Sequence, residues 1–458
     1  MFDSIAAVVL AAGDGKRMKS AKQKVTCCVL SKPMLSWVLD ACKNTGIDLQ
    51  NCCVVVSEDR KEVDELLPNE ISTAVQSERL GTGHAVMCAT DFLKLSKSRG
   101  VKDVAVLCGD SPFIDSGSLL SALTLHREEQ NSVTVITADC NEPASYGRIV
   151  RNGGRLEKIV EFADATKEEK EITEINSGVY WFNIDFLLEY LPELKNANSQ
   201  NEYYITDMIA PASIDKKGGA FVCENPNIVL GANDRISLSK LNHIARDAIL
   251  DKLRGMGADI PLNDGIIIGP DVTIGRDTTI LPGCMITGDV KIGEGCVIGP
   301  NTRIIDCEIG NGSIIESSRL EKSKIGSNVR IGPFAQIRPN CTVADKVKIG
   351  NFVEVKNSVI GEKTSLAHLT YIGDSDFGGS VNVGCGVVTV NYDGRGKYRT
   401  VVEDGAFIGC NTNLIAPVKV GAGAYVAAAT TVTEDVSSES LAIGRVKQSV
   451  KEGWVKQR

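Results

Sequence analysis

The segment LAAGDGKRM at residues 10–18 links an apolar run to a polar one through two glycines, a place where backbone N–H groups can face a phosphate. It lacks the third glycine of a dinucleotide fingerprint and is not a P-loop, so a simple tight turn remains open. Lys24, eleven residues beyond Gly13, could bring a point charge to that phosphate or stand as a solvated surface group. Asp110 ends the apolar run VAVLC just ahead of Pro112, where a carboxylate can cap a turn. Four His occur in 458 residues, which makes each one informative. His368 lies in SLAHLTYIGD, and Arg338, Lys356, Tyr371 and the insertion NYDGRGKYR (391–399) add cationic and hydrogen-bonding groups. Such a collection suits a phosphorylated sugar, and polar surface is the alternative.

These residues need elements to hold them. Ile-Gly pairs recur six apart at 268 and 274, at 292 and 298, and at 325 and 331, with Ile349 eighteen after Ile331. Six is neither a helix nor a hairpin period; it predicts a parallel β-helix whose stacked coils bury an aliphatic core from about residue 265 to 435. Gly, Asn, Asp and Ser between the aliphatics suit its corners. Before residue 225 the β-like runs IAAVVL, CCVVV, VAVLC, SVTVIT and GVYWF alternate with helix-length segments, which predicts a parallel α/β sheet. Between the halves, Leu238, Leu241, Ala245, Ala248, Ile249 and Leu253 keep helical spacing. Asn233 or Asp234 can cap that connecting helix and Gly255 can stop it. After Thr433 the repeats dissolve into a locally basic tail with Arg445, Lys447, Lys451, Lys456 and Arg458.

Composition narrows the partners. A net charge of −8 with 24% charged residues advertises no nucleic-acid surface, so any phosphate site must be local. No stretch approaches the ~20 apolar residues of a membrane span, and the start reads as a buried strand rather than a signal peptide. Fifteen Cys, an odd number with adjacent pairs at 27–28 and 52–53, fit a reduced cytoplasmic chain in which most are small apolar fillers.

LAAGDGKRM with Lys24, Gln76 followed by LGTGHA, then CGDSP, SYGRIV, VEF, EINSGVY and GAND stand in the order seen in sugar-phosphate nucleotidyltransferases. With the hexapeptide half, the chain resembles over nearly its full length the bacterial family of bifunctional N-acetylglucosamine-1-phosphate uridyltransferases and glucosamine-1-phosphate acetyltransferases. The resemblance implies a Rossmann-like α/β nucleotidyltransferase domain at 1–228, a connecting helix at 229–254, and a left-handed parallel β-helix acetyltransferase domain with a basic tail at 255–458. It implies synthesis of UDP-N-acetylglucosamine, a precursor of peptidoglycan and lipopolysaccharide, from UTP, acetyl-CoA and glucosamine 1-phosphate. Leu10, Ala11, Ala12, Gly13, Gln76, Gly81 and Thr82 would hold uracil and ribose, and Arg17 and Lys24 the triphosphate. The sugar phosphate would meet Gly147, Glu161 and Asn176. Asp110 and Asn233 would hold Mg²⁺, an ion that takes oxygen ligands and lets phosphates and water supply the rest.

For the second half the resemblance makes His368 the general base and gives Arg338, Lys356, Tyr371, Asn382 and Asn391 to the amino sugar phosphate. Glu354 could orient His368. Cys385, through its backbone N–H, would hold the thioester oxygen, and Asn391, Tyr392, Lys397, Cys410, Ala428 and Arg445 would line the acetyl-CoA site. A flat prism face seldom encloses a substrate, so a homotrimer with inter-subunit acetyltransferase sites is expected. Gln23, Lys16, Cys108 and Cys410 depart from the family's usual Pro, Thr, Tyr and Ser. Losing Pro before Lys24 could loosen its placement. Cys108 removes a hydroxyl that might contact the sugar, and Cys410 keeps a weak S–H donor. Two other readings share the architecture: a single-activity sugar-1-phosphate nucleotidyltransferase with a structural β-helix, and a non-catalytic scaffold. His368, Asn391, Lys397 and Arg445 argue against the first, and Asp110, Lys24 and Asn233 against the second.

Overall fold

The computed structural model describes residues 5–13, 15–141 and 145–457, the side chains of Lys16 and Gln457 excepted. The Lys16 departure and the tail's Arg458 therefore lie outside the described residues. The chain divides into two compact units, Met1–His243 and Ile244–Arg458.

In the first unit the strands are β1 (Ile5–Leu10), β2 (Cys52–Val56), β3 (Ser72–Val75), β4 (Asp103–Cys108), β5 (Val133–Asp139), β6 (Arg148–Asn152), β7 (Arg155–Val160), β8 (Glu174–Asn183) and β9 (Gly218–Cys223). They form a nine-stranded sheet in the order β9-β5-β8-β4-β1-β2-β3, with the hairpin β6-β7 paired to β8. Strands β1, β2 and β4 are buried almost throughout, which is why their sequences are unbroken apolar runs rather than alternating ones. Adjacent Cys52 and Cys53 serve there as small core residues on opposite faces.

The expected all-parallel sheet is in fact mixed, because β8 runs antiparallel to both β4 and β5. The physical reason lies in what precedes it. Between Asp139 and Glu174 the described residues make only the β6-β7 hairpin and the four-residue helix Lys167–Lys170, and neither carries the chain back across the sheet. It re-enters alongside the strand it left, with Glu174 opposite Asp139. For the site, the parallel pair β1 and β4 matters most: Leu10 pairs with Cys108, and Gly109 N–H donates to the Leu10 carbonyl at 2.9 Å. The loops bearing Gly13 and Asp110 thus leave the sheet side by side at the carboxyl ends of two strands.

The connecting helix spans Arg235–Gly255. Asp234 is its cap, accepting from Ser237 N–H at 2.7 Å. Its inward stripe runs through Leu238, Leu241, Ala245, Leu250 and Leu253. Ala248 is exposed, contrary to expectation, since a 3.6-residue turn carries the stripe from Ala245 over to Ile249 and Leu250. Gly255 is the last helical residue, and the left-handed turn falls at Gly257, with φ +100°.

The second unit is a left-handed parallel β-helix whose faces are three parallel sheets of ten, nine and ten strands. Each hexad sends one aliphatic inward, and the stacked coils align these into ladders. Ile268, Ile286, Ile304, Leu320, Ile337, Val355 and Ile372 form one, and Ile280, Ile298, Ile315, Ile331, Ile349 and Leu366 another. Burying each such side chain contributes roughly 1.5–3 kcal/mol, gained again at every coil.

Many corners carry the expected residues in left-handed conformation, such as Asn301, Asn328 and Asn340. Phe334, Phe352 and Leu369 also take positive φ. Each N–H bonds to the corner one coil earlier, from Phe352 to the Phe334 carbonyl at 3.2 Å and from Leu369 to Asn351 at 3.1 Å. The two rings stack at 5.5 Å, and this column stays exposed, at 60%, 55% and 59%. The insertion lengthens one coil: Phe377 pairs with Val402, twenty-five residues on, where Val402 pairs with Val420, eighteen on. It forms a short loop closed by an antiparallel bridge between Tyr392 and Lys397. The repeats also outlast Thr433, because Leu441–Ala442 add a last rung on Tyr425–Val426, with Ala442 packed on the core.

Candidate functional sites

At the carboxyl ends of β1 and β4 a cavity of about 590 Å³ is lined by Leu10, Ala12, Gly13, Gln76, Gly81 and Thr82, all expected nucleotide residues, together with Lys24, Cys108 and Asp110. Gly81 is required twice over: its φ is +107°, and a Cβ there would lie 2.6 Å from the Tyr203 carbonyl oxygen. Gln76 is buried, and its amide nitrogen is fixed 3.1 Å from both the Gly81 carbonyl and His84 Nδ1. Thr82 Oγ1 accepts from Ile205 N–H at 3.1 Å, which ties the cavity wall to the turn at 205–208.

Lys24 opens a short helical turn and reaches the centre of this group. Its Nζ donates to Asn233 Oδ1 at 2.8 Å and forms an ion pair with Asp110. Asp234 caps the connecting helix, and Asn233 just before it presents its amide oxygen to Lys24. The two groups expected to hold Mg²⁺ therefore already converge on one cation, the ammonium, and the donor set fits such an ion. Among the described residues no three His, Cys, Asp or Glu are grouped to hold a metal, so bound phosphates would have to complete the coordination.

The Gln23 departure does not loosen Lys24. Gln23 keeps a proline-like backbone, φ −64° and ψ 144°. Its N–H donates to Glu62 Oε2 at 3.1 Å, and its amide donates to Ser57 Oγ at 3.2 Å and to the Asp59 carbonyl. Three long-range hydrogen bonds replace the ring that proline would have supplied.

Gly147, Glu161 and Asn176 form a second group: a Cβ on Gly147 would lie 3.5 Å from Glu161 Oε2 and 3.6 Å from Asn176 Cβ. Burial raises the Glu161 carboxyl above its ordinary value, against a hydrogen bond from Thr206. Asn176 donates to the Tyr180 hydroxyl at 2.7 Å and accepts from Gly178 N–H. Cys108 stands between the groups, 3.6 Å from the Gly178 carbonyl, and burial above all, then Asp110, pushes its thiol up to about 12. It remains a neutral donor. Arg17 is exposed and Ala11 buried, and neither lines the cavity. Arg79 and Glu202 do line it and were not anticipated; Arg79 Nε donates to the Ala12 carbonyl at 2.9 Å. A cation three residues after Gln76 was the available signal for Arg79.

In the β-helix, register does the assembling. His368 pairs with Asn351 one coil back, and His368 Nδ1 lies 2.8 Å from Asn351 Oδ1. The register of Leu366 with Val383 and of Val383 with Ile408, carried on by two residues, puts Cys385 beside His368 and Cys410 beside Cys385. Ala429 N–H donates to the Cys410 carbonyl, and Arg445 Nη1 donates to the Ala428 carbonyl at 2.7 Å. Asn351, His368, Cys385, Cys410 and Ala428 thus form one column down an edge of the prism, with Arg445 at its end. Asn382 is exposed on the same sheet.

Across the Phe334–Phe352–Leu369 corner, the next face carries Arg338, Lys356 and Tyr371. Glu354 does not orient His368 within the chain; it accepts from Arg338 Nη1 at 2.8 Å, and Asn351 holds the imidazole instead. Lys397, foremost, and then burial lower the pKa of Lys356, which marks two ammonium groups facing each other. Asp374 was not anticipated. Burial opposes its ionisation, but hydrogen bonds from Asn357 and Asn391, with Lys356 and Lys397 nearby, hold its carboxyl below the ordinary value. Asn391 is buried at the root of the insertion, whereas Tyr392 is exposed.

A family model described as "Nucleotidyl transferase" matches residues 6–225, and one described as "Bacterial transferase hexapeptide (six repeats)" matches 271–305 and 322–357. Curated relatives match almost end to end. "Bifunctional protein GlmU" of Acetivibrio thermocellus is 47% identical, covering 99% of this chain and 98% of that one. The protein of the same name from Caldanaerobacter subterraneus subsp. tengcongensis is 46% identical, covering 100% and 99%. That of Halalkalibacterium halodurans is 44% identical, covering 98% of each. With both halves matched in one continuous chain, this protein belongs to the bifunctional GlmU family.

Proposed function

We propose that the two transfers of this bifunctional family are divided between the halves of the chain, with residues 1–228 making the uridylyl transfer, 229–254 connecting, and 255–458 making the acetyl transfer. The chain makes UDP-N-acetylglucosamine, with acetyl-CoA and UTP as co-substrates. The observation that carries the division is that each cluster lies wholly within one compact unit: Lys24, Asp110 and Asn233 in the first, the His368 column and its cations in the second.

In acetyl transfer, Asn351 Oδ1 can only accept, so the Nδ1 facing it carries the proton and Nε2 is left as the base. Nε2 takes the proton of the glucosamine amine as nitrogen attacks the thioester carbon. The Cys385 N–H donates to the oxygen as it becomes an oxyanion, and the C–S bond breaks as the imidazolium returns its proton to the leaving sulfur, which departs as the coenzyme thiol. Arg338, Lys356, Tyr371 and Asn382 hold the sugar phosphate, and Asn391, fixed by Asp374, positions the amine. Tyr392, Lys397, Cys410, Ala428 and Arg445 line the coenzyme's path.

In uridylyl transfer, a phosphate oxygen of N-acetylglucosamine 1-phosphate attacks the α-phosphorus of UTP, and the bond to pyrophosphate breaks. The nucleophile is already anionic, so alignment and charge neutralisation suffice. Leu10, Ala12, Gly13, Gln76, Gly81 and Thr82 seat the uridine with Ala11 buried behind them, Lys24 meets the phosphates from the cavity wall and Arg17 from outside it, and Gly147, Glu161 and Asn176 meet the sugar. Mg²⁺ held by Asp110 and Asn233 would neutralise phosphate charge there.

His368 and the cationic residues flank one corner on two different faces, and the exposed aromatic corner between them lacks cover within the chain. Both features support a homotrimer in which a neighbouring subunit closes the acetyltransferase site. No helix among the described residues is long and apolar enough to cross a membrane, and we place the enzyme in the cytoplasm. The test uses two variants. His368→Ala should abolish thiol release while sparing pyrophosphate release from the acetylated sugar phosphate, and Asp110→Ala should do the reverse. Loss of both activities from either change would break the partition.

A further inference from the structure

The ammonium of Lys24 occupies the position that a divalent cation would need. Nζ is 2.8 Å from Asn233 Oδ1 and paired with Asp110, and the Lys24 and Asp110 side chains are only 15% and 23% exposed. An ammonium and a hydrated Mg²⁺ cannot occupy the same two oxygen donors at once, because two cations at that separation repel each other. We propose that Lys24 is a built-in competitor of the metal: it holds Asp110 and Asn233 in the nucleotide-free enzyme, and the cation enters only when a triphosphate draws Nζ away. This inference rests on reading Asp110 and Asn233 as the cation's donors.

The surroundings permit such an exchange. The backbone at Lys24 is fixed by the hydrogen bonds of Gln23, so the motion falls to the four-carbon stem, which is flexible. Gly15 leaves room beside it, since a Cβ there would lie 2.7 Å from Lys24 Cβ. A Cβ on Gly13 would meet nothing within 4 Å, so the glycine loop borders open space on the cavity side. A triphosphate placed there offers Nζ more negative charge than one carboxylate does. Nζ then trades Asp110 for phosphate oxygens, and the freed carboxylate and amide accept the cation. When pyrophosphate leaves, the returning ammonium evicts the metal. Substrate and metal binding are thereby coupled through one side chain, and Lys24 acts as a positioning residue for the cation as well as a phosphate ligand.

The experiment follows Mn²⁺ as a probe by the loss of its free paramagnetic resonance signal, using the full chain without nucleotide. Lys24→Met should bind Mn²⁺ at least tenfold more tightly than the unaltered enzyme. Lys24→Arg keeps the cation and should show no gain, which separates charge from disturbance of the loop. Adding Asp110→Ala to Lys24→Met should remove the gain. Unchanged or weaker Mn²⁺ binding by Lys24→Met overturns the competition. If Asp110→Ala nevertheless weakens Mn²⁺ binding in the presence of a non-hydrolysable UTP analogue, the donor assignment survives that failure. If Asp110→Ala changes neither measurement, the donor assignment itself fails and the competition fails with it.

Discussion

Replacing Asn351 by Ala removes the one group that holds Nδ1 of His368, at 2.8 Å, without touching either substrate's expected path. The loss can be worked out in two parts. A single neutral hydrogen bond is worth about 0.5–1.5 kcal/mol net, and 1.36 kcal/mol is a factor of ten, so loss of orientation alone should slow acetyl transfer roughly two- to twelve-fold. Removing the base itself, in His368→Ala, should cost about 10²- to 10⁴-fold. The two variants should therefore be well separated in thiol release from acetyl-CoA, with pyrophosphate release unchanged in both. Asn351→Ala with full activity, or as inactive as His368→Ala, would refute this assignment of roles.

Gln23→Ala removes two side-chain hydrogen bonds next to Lys24 and should raise KM for UTP several-fold without altering acetyl transfer, as read by steady-state pyrophosphate release. Lys397 is the leading cause of the lowered Lys356 pKa, so Lys356 loses its charge at a lower pH than an ordinary lysine. Binding of glucosamine 1-phosphate should weaken as pH rises through that lowered value, and Lys397→Met should move the weakening to higher pH in a series of KM measurements. Ile315→Ala empties a fully buried rung of the aliphatic ladder and should cost about 2–5 kcal/mol in denaturant unfolding of the β-helix unit. A cost below 1 kcal/mol would mean that the coils are not closely packed there.

The hexad period made the β-helix legible because one local rule repeats: each inward Ile or Val in a ladder follows from its own neighbours in sequence. The loop at Gly13 and the carboxylate at Asp110 were legible as pieces, and pairing of β1 with β4 brings them together. What escaped was set by contacts distant in sequence. Nothing near Glu174 announces that β8 runs antiparallel; that follows from the missing crossover before it. Asn351 holds His368 because coils align residues seventeen apart, and seventeen is not a multiple of the hexad. Asp374 reads as one more corner residue until Asn391 and Lys356 arrive from neighbouring coils. Gln23 looked like a loosened proline because Ser57, Asp59 and Glu62 are far along the chain.

Two transfers by one chain can be followed in a single incubation of the purified protein with glucosamine 1-phosphate, acetyl-CoA, UTP and Mg²⁺, with free thiol and pyrophosphate read separately. Both products should appear, and omitting acetyl-CoA should abolish both, because the uridylyl acceptor is then never made. Absence of either product from the complete mixture would contradict the account.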